Sequence, residues 1–224
     1  MYNILLCDCE HKHKRIIYLF MRYRKIPNES IRRLPVYLRG LLYFAETGAK
    51  GVSSEKLADF LHFNPAQIRK DFSYFGYFGI RGVGYDVNTL IKQTRSILKL
   101  DNKHKTALIG AGNLGKAILA YPGFGVYGFE ILAVFDSDPA KIGKKISGRT
   151  IEDVSNLRAL KKRGISLGIV ATPAPAAQQV ADALVDAGIT GILNFAPHHL
   201  NVPKKVKVIT IDIAMELGRL PYYA

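Results

Sequence analysis

Gly110-Ala111-Gly112-Asn113-Leu114-Gly115 follows a short apolar run at 106–109 and opens a helical pattern that reaches Ala120. In a G-x-G-x-x-G between strand and helix, each glycine has its own reason. The first makes the tight turn, the second lets backbone approach a pyrophosphate, and the third lets helix and strand pack closely. The phosphates then face the positive end of the helix. Asp136 stands twenty-one residues after Gly115, at the end of the next strand pattern. A carboxylate there accepts hydrogen bonds from an adenine ribose and repels a 2′-phosphate, which selects NAD(H) over NADP(H).

Working outward, strands are expected over 130–135, 166–171, 191–195 and 206–211, with a helix over 174–187. Strands alternating with helices predict an α/β fold with a parallel, doubly wound sheet, a Rossmann domain over 101–212. Thr172-Pro173 and Phe195-Ala196-Pro197 fall at the carboxyl ends of strands, where ligands bind, and the second stretch is placed to wall the nicotinamide side. Turn chemistry alone would also account for both prolines.

Residues 26–100 have a different grammar. Pro27-Asn28-Glu29-Ser30 starts a helix whose apolar positions are Leu34, Leu38, Leu41, Leu42 and Ala45, with Pro35 expected in its first turn and Gly48 as its stop. Ser53 caps a second helix. Asn64-Pro65-Ala66-Gln67 opens a third, read as a capping box that runs to Gly76. The third helix buries Ile68, Phe72 and Phe75 and presents Gln67, Arg69, Lys70, Ser73 and Tyr74. Arg pairs with guanine and Gln with adenine, while Lys, Ser and Tyr reach phosphates. A glycine-rich hairpin over 79–87 follows, with Arg81 and Gly82 near its start, and then a helix over 87–100. An ordinary amphipathic helix with a solvated basic face shares part of this pattern. Helix order, caps and hairpin together are those of a winged-helix domain that binds double-stranded DNA, with Arg81 entering the minor groove or holding a phosphate.

The chain of 224 residues carries a formal charge of +14. Lys and Arg number 17 against 8 Asp and Glu up to Leu100, and 15 against 10 afterwards. The excess points to an anionic partner for the N-terminal half, nucleic acid before membrane. Cys7 and Cys9 build no disulfide framework, and no third cysteine completes a metal site with them, so the chain reads as cytoplasmic and metal-free. No run reaches the length of a membrane span. Residues 1–25 form a basic, poorly patterned extension. A dehydrogenase would need a substrate domain, for which the Rossmann unit leaves no room, and His198-His199 reads as a surface turn rather than a catalytic acid. Two other readings compete. One is a small NAD-dependent oxidoreductase with a helical arm. The other is a CoA-binding module, against which Asp136 argues because CoA carries a 3′-phosphate on its ribose.

Arg69-Lys70-Asp71-Phe72-Ser73-Tyr74-Phe75-Gly76, Arg81-Gly82-Val83-Gly84-Tyr85, the glycine-rich turn, Tyr121-Pro122-Gly123-Phe124-Gly125 and Asn194-Phe195-Ala196-Pro197 together resemble the Rex family of redox-sensing transcriptional repressors, from about residue 26 to the C-terminus. The resemblance implies a bacterial homodimer that binds a palindromic operator when NADH is low and releases it when NADH binds. It also implies a domain-swapped C-terminal helix over 213–224, centred on 213–222, and a switch made of Arg33, Tyr121 and Asp212, in which the carboxylate changes partner between the Arg and the Tyr. Two features depart from the family pattern: the extension, and Ile213, where some members carry an aromatic facing the nicotinamide.

Overall fold

The computed structural model describes residues 26–76, 78–80 and 82–223. The basic extension and Arg81 lie outside these residues. The chain divides after Asp101 into two compact units.

In the first unit, α1 (Asn28–Glu46), α2 (Ser54–Leu61) and α3 (Pro65–Ser73) precede a hairpin and α4 (Val87–Ile97). The caps follow the side-chain chemistry. Ser53 accepts from the Lys56 N–H, Asn64 from Ala66 and Asp86 from Thr89. Pro35 is not in the first turn, because α1 already begins at Asn28; it lies inside the helix and has no N–H to offer the Ile31 carbonyl. Strand β1 (Gly51–Val52) pairs antiparallel with β2 (Tyr85–Asp86), and an Ile80–Gly84 bridge closes the hairpin ahead of β2. Gly84 has φ +99°, and a Cβ there would lie 2.6 Å from the Val52 carbonyl, so only glycine fits the hairpin root. Leu34, Tyr37, Leu41, Leu57, Ile68, Phe72 and Leu90 fill one core.

A buried carboxylate ties α3 to α1. Asp71 accepts from Arg33 Nε (2.6 Å) and Nη2 (2.8 Å), Tyr37 Oη (2.7 Å), Ser30 Oγ (2.8 Å) and Gln67 Nε2 (2.8 Å). Gln67 therefore does not complete a capping box with Asn64; the acceptor-only carboxylate draws its amide inward. Burial alone would raise the Asp71 pKa, but donation from Arg33, Tyr37, Ser30 and Gln67 outweighs it and holds the carboxylate at about 2.

The second unit is a seven-stranded sheet in the order β5-β6-β4-β3-β7-β8-β9, parallel except for β5 against β6. The strands are β3 (His104–Ile109), β4 (Phe129–Asp136), β5 (Lys145–Ile146), β6 (Arg149–Asp153), β7 (Leu167–Val170), β8 (Gly191–Asn194) and β9 (Lys207–Thr210). The β5–β6 hairpin was not expected. Helices α5 (Asn113–Ala120), α6 (Gly123–Val126) and α7 (Ala174–Asp186) join them, with a 3-10 turn at Val154–Leu160. Ile109, Phe135, Val170, Ala181 and Leu184 pack into the main core. The chain winds from β3 towards β6 and then returns to the other side of β3, which opens a crevice between the carboxyl ends of β3 and β7.

The C-terminal helix is shorter than expected. α8 (Ile213–Leu217) ends at Gly218, and Pro221, which cannot donate back to Leu217, sits in a separate 3-10 turn at Leu220–Tyr222. Among the described residues no helix is long and apolar enough to cross a membrane, and no cluster of metal-ligating side chains occurs.

The Asp71 carboxylate has a lower pKa folded than unfolded, so its stabilisation is present above the unfolded value and disappears as the pH falls towards about 2. The depression corresponds to about 2 kcal/mol. In urea melts, Asp71→Asn should be less stable than wild type by at least this amount at pH 6, with the gap narrowing steadily towards pH 2. A gap that is the same at both ends would show that the charge of Asp71 does not hold α1 to α3.

Candidate functional site

The crevice in the second unit is built on backbone contacts. Gly110 has φ +103°, and a Cβ on it would lie 2.5 Å from the Ala171 carbonyl oxygen; a Cβ on Gly115 would overlap the Gly110 carbonyl. The turns after β3 and β7 and the start of α5 are therefore pressed together. Gly112 differs. It precedes α5 in an ordinary extended conformation, and a Cβ there would meet no protein atom within 4 Å. Glycine at 112 thus has no packing or backbone reason, and its bare face lies beside the first-turn amides of α5, where a pyrophosphate would approach. Ala111 is buried behind the turn, and Leu114 is partly exposed at the helix start.

Asp136 does not project into solvent. One carboxylate oxygen accepts from the Ala111 N–H at 2.8 Å and Lys141 Nζ at 3.1 Å, the other from the Asp138 N–H at 2.9 Å. Burial works against the charge, but the Asp138 and Ala111 amides and Lys141 keep the pKa below the usual carboxylate range. Asp136 is thus first a brace between β4 and the glycine-rich turn, and a ribose would share oxygens already in use. Lys141 escaped the sequence reading. Across the crevice, Thr172 Oγ1 is buried with no hydrogen-bond partner among the described residues. Such an orphan costs free energy unless a ligand or water satisfies it. Phe195-Ala196-Pro197 continues from β8, and Asn194, fully buried, shapes that loop: its Nδ2 donates to the Ala196 (3.1 Å) and His198 (2.9 Å) carbonyls and its Oδ1 accepts from the Ala196 N–H. The carboxyl ends of β3, β4, β7 and β8 thus bring together every residue expected for a dinucleotide. The bare Gly112 face and the orphaned Thr172 hydroxyl fit NAD(H), with Thr172 free to donate or accept.

The expected switch residues are in different surroundings. Tyr121 is 60 % exposed, its ring lying where Gly123 would carry a Cβ and edge-on to Phe124 at 5.6 Å. Asp212 caps α8, accepting from the Ala214 and Met215 amides. Arg33 is bonded to Asp71.

On α3, Lys70 is exposed and Arg69 also faces outward, but Arg69 Nη1 donates to Ser54 Oγ (2.8 Å) and Glu55 Oε1 (2.9 Å). Ser73 donates its hydroxyl hydrogen to the Lys70 carbonyl, so it presents an acceptor rather than a phosphate donor. Tyr74 is half-buried against the core. Gln67 is half-buried on Asp71, and Gly82 is exposed in the hairpin.

Family profiles match both units: "CoA binding domain" over residues 101–198 and "Putative DNA-binding protein N-terminus" over residues 25–73. The redox-sensing transcriptional repressor Rex of Chloroflexus aurantiacus is 48 % identical over 198 residues, 88 % of this chain and 93 % of the relative. The chain belongs to the Rex family. Rex of Streptomyces coelicolor is 45 % identical over 203 residues, 90 % of this chain and 79 % of the relative. Among solved structures, RSP, a Rex-family repressor, in complex with β-NAD+ and operator DNA superimposes with TM-score 0.84 at 37 % identity, covering 90 % of this chain and 93 % of that one. RSP with β-NADH gives 0.82 at 35 %, covering 90 % and 95 %.

Two glycine substitutions separate ligand contact from packing. Gly112→Ala should leave the melting temperature unchanged and abolish NADH binding, measured by calorimetry. Gly115→Ala should destabilise the second unit, because its methyl meets backbone. A Gly112→Ala protein that binds NADH like wild type would remove the pyrophosphate from this turn.

Proposed function

We propose that this chain is a cytoplasmic homodimeric repressor that binds a palindromic operator while NADH is low and releases it when NADH binds. The observation that carries the reading is the pairing in one chain of a winged-helix unit with a crevice whose bare Gly112 face and orphaned Thr172 hydroxyl suit a dinucleotide. The relatives' name and the two RSP complexes support it.

In this reading Gly110, Ala111, Gly112, Asn113, Leu114 and Gly115 cradle the pyrophosphate. Asp136 faces the adenine ribose, with Thr172, Pro173, Phe195, Ala196 and Pro197 around the nicotinamide. The family profile's CoA label does not change the assignment: a 3′-phosphate beside the Asp136 carboxylate would be repelled. Lys70 and the hairpin at Arg81 and Gly82 meet DNA, with Arg69, Ser73 and the edge of Tyr74 beside them; Gln67, whose amide is held by Asp71, offers DNA chiefly its carbonyl oxygen. None of these residues is assigned a catalytic step.

A ligand shifts a conformational equilibrium only through differential affinity for the two states. NADH and NAD+ differ by one charge and by the planarity of the nicotinamide ring, so a pocket that disfavours the cation tells them apart. Moving repression from nearly complete to nearly absent takes roughly 5 kcal/mol of differential binding. Homodimerisation is supported by the C-terminal segment, which leaves Ile213, Met215, Leu217, Leu220 and Tyr222 more than half exposed in the single chain. Covered by a partner, this segment would bring Asp212 to the partner's Arg33 or Tyr121, the exchange that the family resemblance implies.

The test is an anisotropy titration of an inverted-repeat duplex at fixed salt. NADH should release the duplex at concentrations where NAD+ has little effect. Binding indifferent to both cofactors would assign the Rossmann unit another ligand, and absence of binding would revive the oxidoreductase reading.

A further inference from the structure

On the side of the first unit formed by α3 and the hairpin, an acid is paired with an arginine expected to meet DNA. Glu55 and Arg69 are both largely exposed, 63 % and 51 % for their side chains, yet paired at 2.9 Å. The pair borders a cavity of about 500 Å³ between α3 and the hairpin, lined also by Ser53, Ser73, Gly82 and Tyr85. If α3 enters a major groove and the hairpin the neighbouring minor groove, the strand dividing the two grooves crosses this space, and its phosphates face Arg69.

We propose that Glu55 competes with DNA for Arg69: it holds the guanidinium in the free protein and yields it to a backbone phosphate on binding. Arg69 is then a phosphate clamp rather than a base reader, and Glu55 sets how tightly the protein holds any duplex. The proposal rests on the DNA-binding reading above.

Three features support the exchange. An exposed ion pair is weakly held, whereas an arginine–phosphate contact is charge-assisted and often bidentate. Glu55 stands in the first turn of α2, where an acid is favourable without any partner. Its pKa is lowered first by its own backbone N–H and by Ser53, with Arg69 the smallest contributor, so local donors hold the carboxylate without Arg69. Ser54 Oγ, the second acceptor of Arg69, remains to orient the guanidinium.

Glu55→Gln keeps the shape and removes the charge. The measurement is anisotropy of the full chain on the duplex selected by the wild-type protein and on a scrambled duplex of equal length, in wild-type and Arg69→Ala backgrounds. Glu55→Gln should raise affinity for both duplexes by about two- to fivefold, and the gain should vanish without Arg69. Unchanged affinity overturns the proposal. So does a loss confined to the selected duplex, which would make Glu55 a base contact, and so does a gain that persists in Arg69→Ala, which would make it a through-space repulsion. A wild-type protein that binds neither duplex overturns the repressor reading itself, and this inference with it.

Discussion

The turn between β3 and α5 is closed by backbone pressed on backbone. The Gly110 carbonyl occupies the place of a Gly115 side chain, and the Ala171 carbonyl lies 2.5 Å from where Gly110 would carry one. These contacts fix where α5 begins, how deep the crevice between β3 and β7 lies, and where the Ala111 amide meets Asp136. Any side chain at 110 or 115 would lift the helix off the sheet and move every group that lines the crevice. Interiors that are close-packed transmit such displacements rather than absorbing them.

The first unit depends on a polar constraint instead. Asp71 collects five hydrogen bonds from four side chains, and through Ser30, Arg33 and Tyr37 it binds the third helix to the first. Removing a donor would leave a buried charge underpaired, a costly change, so the orientation of α3 is tied to the state of Arg33. The residue to which the family resemblance gives a switching role is thus bonded directly to α3. Each unit thus has its own anchor, a glycine contact in one and a carboxylate in the other.

What could be read from residues alone follows from how narrow the physical alternatives are. Ser53 and Asn64 announced helix starts because few side chains accept from a backbone amide in that geometry, whereas Asp86, which caps α4 in the same way, was read as part of the hairpin. The glycine-rich turn was legible because close backbone approach at 110 and 115 excludes every other residue, while glycine at 112 answers to a ligand instead. The β5–β6 hairpin was not, since Lys145–Ile146 and Arg149–Asp153 are short and polar, and Ile151 is the one buried residue in them. Asp71 was legible but passed over: it lies on the stripe of Ile68, Phe72 and Phe75, and an acid on that stripe must be buried and paired. The inward turn of the Asp136 carboxylate, the loop brace at Asn194 and the pairing of Arg69 with Glu55 depend on contacts between distant segments, which spacing along the chain does not encode. Pro35 and the early end of α8 were boundary errors, one from starting α1 too late and the other from reading past Gly218 and Pro221.

If cofactor and operator act through one conformational equilibrium, their coupling is reciprocal. The most direct test is the affinity of the protein for NADH measured by calorimetry with and without saturating operator duplex. Operator should weaken NADH binding by the same factor by which NADH weakens operator binding, and should leave NAD+ binding nearly unchanged. Equal NADH affinity on and off DNA would contradict the account, because the Rossmann unit would then bind its cofactor without reporting it to the DNA-binding unit.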